Sequence, residues 1–163
     1  MSIQSNHNWN HSADIVVVGS GAGALTAALV AAIDGASVLI LEKGEHYGGT
    51  SATSGGGLWL PDNHLMRAAG MQDSVEEAMQ YLLALTRQDV APELVRAFVE
   101  HGPAMLRFLE ERTHVRYEAM LHYADYYQEL PGAKPGGRSI DPLPYDGRLL
   151  GEEFLRMQPS HVQ

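Results

Sequence analysis

The sequence predicts an α/β fold: one βαβ unit near the N-terminus, followed by a mainly helical segment. Three observations predict it. Two short apolar runs flank a stretch with helical spacing. A glycine-rich turn joins the first run to that stretch. Beyond position 60 the apolar residues keep helical periodicity, with recognisable start and stop signals.

Taken in order, residues 1–13 form a polar tail carrying Asn, His and Ser. The tail has no cationic stretch followed by an apolar core, so it is not a secretory signal. Residues 14–18 (DIVVV) are a short β-branched run ending in Gly19, the pattern of a buried parallel strand. Leu25, Ala28, Leu29, Ala32 and Ile33 follow at helical spacing, and Gly35 is placed to end that helix. Residues 37–41 (SVLIL) make the second strand, so residues 14–60 hold a βαβ unit with a right-handed crossover and glycine-rich loops. Ten of the 17 glycines lie between Gly19 and Gly57, where the backbone must approach something closely.

Residues 61–163 change character. Ser74 and Glu77 form a capping box before an apolar stripe of Val75, Ala78, Met79, Leu82 and Leu83. Pro92 suits a first helical turn, with Leu94, Val95, Phe98 and Val99 as the next stripe. Gly102-Pro103 is expected to close that helix and open another that runs to about Arg112. Residues 123–151 are rich in Pro, Gly and Tyr and read as a long loop, with a last short helix near Glu152. Only two strands are convincing, and a doubly wound nucleotide fold needs more, so the sheet is expected to be unfinished.

Composition narrows the partners. The formal charge of −9, without a Lys/Arg cluster, argues against nucleic acid. The absence of cysteine excludes disulfides and thiolate chemistry. The longest apolar run, around residues 22–33, is too short to span a bilayer, and a cytoplasmic protein is expected. No His, Asp and Glu set has metal-ligand spacing, and no G-x-S-x-G follows a strand, so neither a metal site nor a serine nucleophile is predicted.

The chemistry sits in the glycines. Gly19, Ser20, Gly21, Ala22, Gly23 and Ala24 fit G-x-G-x-x-G/A, placed after a strand and opening a helix. Gly19 permits the tight turn, Gly21 lets the backbone approach a pyrophosphate, and Ala24 is small enough for helix–strand packing. The helix N-terminus offers free N–H groups to phosphate. Glu42 ends the second strand 18 residues after Ala24, where a carboxylate accepts hydrogen bonds from ribose hydroxyls and repels a 2′-phosphate. An adenine dinucleotide follows from this register, NADP is disfavoured, and NAD and FAD both fit.

The residues that follow carry a resemblance. Leu41-Glu42-Lys43, then Tyr47-Gly48-Gly49-Thr50-Ser51, then residues 54–61 (SGGGLWLP) resemble the FAD-binding fumarate reductase/3-ketosteroid dehydrogenase superfamily, over residues 14–157. The resemblance implies an incomplete Rossmann-like FAD-binding βαβ unit. It implies that Gly48, Gly49, Thr50 and Ser51 wrap the FAD pyrophosphate and ribityl chain. Ser54, Gly55, Gly56 and Gly57 would then pass close to the flavin. Residues 55–63 (GGGLWLPDN) are similar to the 3-ketosteroid dehydrogenase branch. Gly49 stands where membrane-complex relatives carry a flavin-linking His, which implies non-covalent FAD.

The same resemblance covers Tyr123, Tyr126, Tyr127 and residues 129–132 (ELPG). In that family hydride passes from one ring carbon to flavin N5, while tyrosines take a proton from the neighbouring carbon. The resemblance makes Tyr126 or Tyr127 the catalytic candidate. A phenol with a lowered pKa can act as base, and an O–H can polarise a ketone. Aromatic packing is the alternative reading of each tyrosine. Arg138, Tyr145 and Arg148 read as scaffold or pocket lining.

Family members are far longer. The chain is therefore expected to be an N-terminal fragment leading into an absent substrate domain, with no turnover alone and with apolar faces on the strand pair that favour aggregation. The implied substrate is a small steroid-like ketone or enone. The alternatives are a fumarate reductase-like or other enone reductase, and a catalytically inactive truncated product. Substrate identity, electron acceptor and oligomeric state stay open.

Overall fold

Ile15–Val18 (β1) and Val38–Leu41 (β2) pair in parallel, with Ile15 opposite Val38 and Val18 opposite Leu41. The computed structural model in which they are seen describes residues 9–87 and 89–159. These residues form two units: one holds the residues up to Ser54 together with those from Gly147 onward, and the other spans Gly55–Asp146.

In the first unit, helix α1 (Ala22–Ile33) connects the two strands and packs on both. Its sequence, AGALTAALVAAI, is mostly alanine and branched apolar residues, and the small side chains allow close packing on the sheet. The predicted stop holds: Gly35 takes a left-handed φ of +92° and donates its N–H to Ala32 O. Asp14 ties the strand starts together by accepting from both the N–H and the hydroxyl of Ser37, at 2.9 and 2.7 Å. Those bonds hold the Asp14 carboxyl below its ordinary range. A short helix α2 (Gly49–Thr53) follows. Residues from Gly147 add a 3-10 turn (Gly147–Leu150) and helix α6 (Glu153–Arg156). Tyr47 and Met157 form a parallel bridge, with Gln158 N donating to Tyr47 O at 2.7 Å.

The second unit contains β3 (Leu58–Trp59), α3 (His64–Ala68), α4 (Val75–Leu85), α5 (Pro92–Arg112), β4 (Tyr117–Ala119) and β5 (Ser139–Pro142). β5 lies between β3 and β4 and runs antiparallel to both. This sheet was not expected. Its strands are two to four residues long, too short to display alternation, and β5 lies inside the stretch that reads as a long loop.

Two apolar clusters hold the unit together. Ala78, Met79, Val95 and Val99 join α4 to α5. Leu60, Leu106 and Ile140 join α5 to the sheet. The expected break at Gly102-Pro103 is corrected: α5 runs unbroken through both residues. Proline removes one backbone donor, a cost of about 3 kcal/mol in a helix interior that packing on both sides can offset. Gly102 is buried, and a Cβ there would lie 2.4 Å from Leu60 Cδ2, so the glycine serves close packing and not termination. The capping box is half formed. Ser74 Oγ accepts from Glu77 N, but Ser74 N donates to Asp73, and the Glu77 carboxylate receives Lys134 Nζ at 2.7 Å.

Candidate functional site

The glycine turn of the first unit is almost bare of side chains. Gly19 ends β1 with φ +95° and donates to Leu41 O at 2.7 Å, a conformation that favours glycine. Gly21 is the N-cap of α1 and offers no side-chain cap, so the N–H groups of the first helical turn face outward. The Ala22 N–H donates to Ser51 Oγ at 3.0 Å. Around the Cβ positions of Gly19 and Gly23 nothing lies within 4 Å, and at Gly21 only Ser51 Oγ approaches, at 3.6 Å. Ala24 is half-buried.

A hydrogen-bonded chain links this turn to the end of β2. Buried Ser20 donates its hydroxyl to Glu42 Oε2 and accepts from Gly48 N at 2.9 Å. Glu42 Oε1 accepts from Gly44 N at 2.7 Å. The Ser20 hydroxyl, then the Gly44 N–H, hold the Glu42 carboxyl below its ordinary range. Each carboxylate oxygen keeps a further lone pair for a ribose hydroxyl. Lys43 is exposed beside it. Gly48 and Gly49 take φ of +104° and +52°, and the Cβ position of Gly49 lies 3.8 Å from Gly21 Cα. Thr50 and Ser51 continue into α2, and Ser54 Oγ donates to Ser51 O at 2.9 Å. A helix N-terminus without a cap, an uncluttered glycine surface and an ionised carboxylate at the strand end fit an adenine dinucleotide.

Gly55, Gly56 and Gly57 open the second unit. Gly56, at φ +79°, packs where a Cβ would lie 2.9 Å from Pro142 Cγ. Beyond them is a cavity of about 640 Å³, with Trp59, Tyr81, Phe98, Tyr123, Tyr126 and Tyr127 among its lining residues. The Trp59 ring stacks with Tyr81 at 5.8 Å and with Phe98 at 6.3 Å between centroids. The Tyr123 and Tyr126 hydroxyls are hydrogen-bonded at 3.1 Å, which raises the Tyr123 phenol above its ordinary value. Tyr126 is 79% exposed and Tyr127 48% exposed.

Arg138, read from the sequence as scaffold or pocket lining, has two partners that the sequence does not mark. Arg138, fully buried, donates from Nε and Nη2 to both Asp73 oxygens at 2.7 Å, and from Nη1 to Asp125 Oδ2 at 2.9 Å. Asp125 Oδ1 accepts the Trp59 indole N–H at 2.7 Å. The Arg138 guanidinium lies 5.4 Å from the Trp59 ring centroid and 5.6 Å from that of Tyr81. Burial opposes ionisation of Asp73, and the Arg138 hydrogen bonds and charge outweigh it, leaving the carboxyl below its ordinary range. The partners are 13 and 65 residues apart, so no local motif marks them.

The FAD binding domain family model matches residues 14–161. The chain belongs to this family, and its cofactor is FAD. It is 44% identical over 148 residues to the 3-oxosteroid 1-dehydrogenase of Mycobacterium tuberculosis, covering 91% of this chain and 26% of that protein. Against the 4-oxocyclohexanecarboxylate 2-dehydrogenase of Sinomonas cyclohexanicum it is 50% identical over 140 residues, 85% of this chain and 24% of that one. A solved 3-ketosteroid delta1-dehydrogenase from Sterolibacterium denitrificans, in complex with 1,4-androstadiene-3,17-dione, superposes with a TM-score of 0.87 at 45% identity, over 91% of this chain and 26% of that one. The chain thus spans about a quarter of the length of the relatives it matches. Among the described residues no helix is long and apolar enough to cross a membrane.

Proposed function

We propose that the chain contributes the dinucleotide-binding part of an FAD-dependent dehydrogenase that oxidises a neutral, steroid-like ring ketone to its enone. The apolar, tyrosine-edged cavity is the observation that carries the substrate class. Its walls are aromatic faces suited to flat apolar rings, and its hydroxyls stand at one edge. FAD, when bound, supplies the hydride acceptor.

This chain's residues bind and orient. The N–H groups at the start of α1 and the glycines at 19, 21 and 23 hold the pyrophosphate, with Ala22 and Ala24 keeping the turn clear. Gly48, Gly49, Thr50 and Ser51 flank it, and Glu42 holds the adenosine ribose. The absence of a histidine at position 49 accords with non-covalent FAD. Tyr126, with Tyr127 as its neighbour, takes the proton from the ring carbon. Tyr126 acts as the phenolate, having first lost its hydroxyl proton to solvent, and Tyr123, 3.1 Å away, donates its O–H to that oxygen. The Tyr126 hydrogen bond raises the Tyr123 phenol above its ordinary value, so Tyr123 stays protonated as the donor of that pair.

A second reading, oxidation of a one-ring keto acid, is favoured by the 50% identity to the Sinomonas enzyme. A substrate carboxylate would call for a cation, and the residues lining the cavity include no Lys or Arg, while nearby Arg138 is buried and held by two carboxylates. The test is an absorption spectrum of the purified chain with FAD added and excess removed. Bands near ~370 and ~450 nm, with FAD released intact on denaturation, are expected. A chain that stays colourless overturns the cofactor role. Quenching of tryptophan fluorescence by 4-androstene-3,17-dione, and not by 4-oxocyclohexanecarboxylate, separates the two substrate readings.

A further inference from the structure

The segment that carries the candidate tyrosines is exposed, has no regular secondary structure, and yet is held at both ends. At its start, Asp125 is buried, and its carboxylate takes three donors: Arg138 Nη1, the Trp59 indole N–H and the Lys134 backbone N–H at 2.9 Å. The Asp125 N–H returns a bond to Lys134 O at 3.0 Å, and Gln128 Nε2 donates to Asp125 O at 3.0 Å. At its end, the Tyr127 N–H donates to the Tyr81 hydroxyl at 3.4 Å. The Arg138 guanidinium carbon lies over the Tyr81 ring, 5.6 Å from its centroid.

Both attachments therefore run to one side chain. Arg138 reaches the first through an ion pair and the second through the Tyr81 ring, and it is itself fixed by the bidentate grip of Asp73. We infer that Arg138 is a positioning residue: acting through Asp125 and Tyr81, it sets the direction of Tyr126 and Tyr127 without touching substrate. A planar fork with donors on two edges holds both carboxylates while its carbon stays within 5.6 Å of both ring centroids. Lysine, a point charge on a flexible stem, does not. A buried pair of this kind is weak as a source of stability, because desolvation offsets the Coulomb gain, and its better-attested use is to fix geometry.

The inference rests on the proposed tyrosine role for its catalytic meaning, but the positioning itself is testable without turnover. Carbon-labelled tyrosine NMR of the full chain, assigned with Tyr123→Phe and Tyr126→Phe, reads the hydrogen bond between the two phenols. Asp125→Asn keeps the side-chain shape and cuts the link to Arg138, and Arg138→Lys keeps the charge and loses the fork. Both are expected to lose the paired-phenol signature and to weaken 4-androstene-3,17-dione binding by about tenfold. Val99→Ala, in the α4–α5 core and off the cavity, serves as a control of comparable melting loss and is expected to keep both. If Arg138→Lys does not fold, Asp125→Asn decides. A folded Asp125→Asn with the phenol signature intact overturns the inference, as does loss of that signature in Val99→Ala. Absence of steroid binding by the unaltered chain counts against the substrate reading alone and leaves the phenol signature to decide the positioning.

Discussion

Gly132 and Gly70 share nearly the same backbone conformation, φ +77° and +79°, and differ in what surrounds them. At Gly70 a Cβ would meet nothing within 4 Å. At Gly132 it would lie 2.1 Å from Glu77 O and 3.2 Å from Tyr81 N, because the loop after the tyrosines presses its backbone against α4. Alanine at either position incurs the left-handed penalty of roughly 1–2 kcal/mol, lessened by the smaller entropy of the unfolded chain. Those effects cancel in the comparison. What remains at Gly132 is forced displacement of helix backbone, an overpacking cost of about 1–3 kcal/mol. For a unit of about 90 residues, each kcal/mol moves the melt by roughly 4–8 °C. Gly132→Ala should therefore melt about 5–20 °C below Gly70→Ala, followed by near-ultraviolet circular dichroism, which reports the aromatic walls. Coincident melts would refute the close approach of the loop to α4.

Other expectations follow from the same contacts. Gly21→Ala meets only Ser51 Oγ at an ordinary 3.6 Å, so its melt should stay within about 1 kcal/mol of the parent while flavin absorbance near ~450 nm is lost. The Glu42 carboxyl is depressed below its ordinary 4.5, so its contribution is complete above that value and fades as pH falls through the lowered one. Flavin retained through acid titration, read by gel filtration and absorbance, should hold above the ordinary 4.5 and fall only below it, and Glu42→Gln should flatten the profile. Asp73→Asn leaves buried Arg138 short of a partner and should destabilise the second unit by about 3–5 kcal/mol in urea titrations at neutral pH. Because Asp73 is also depressed, the parent should lose that stability only below the ordinary 3.8, and the variant's disadvantage should shrink there.

The first unit was legible in the sequence because its chemistry is done by backbone. Gly19, Gly21 and Gly35 are required where the chain turns or must stay uncovered, and a residue type that exists for conformational freedom announces itself at fixed offsets. β1, α1 and β2 are also consecutive, so periodicity locates each one. Even so, the link from Ser20 to Glu42 was invisible, since a serine in the x position of the fingerprint carries no expected partner. The second unit resists the same reading. Its sheet joins residues about 80 positions apart through β3 and β5, and its longest helix contains the Gly-Pro pair that ordinarily ends one.

Arg138 shows the difference most sharply. In the sequence it lies in a run of proline and glycine and reads as scaffold or pocket lining, with nothing nearby to mark its partners. Its burial is possible only because Asp73 and Asp125 arrive from elsewhere with matched geometry, and because Gly136 and Gly137 next to it are free of side chains. A Cβ at Gly136 would lie 1.9 Å from Leu121 O, and one at Gly137 would lie 2.8 Å from Met71 Sδ. The two glycines that look like loop punctuation are therefore packing residues. They let the chain pass between its neighbours closely enough to deliver the guanidinium to both carboxylates. Their replacement by alanine should cost the second unit the Arg138 contacts as well as local packing, and a loss no larger than that of Gly70→Ala would contradict this account.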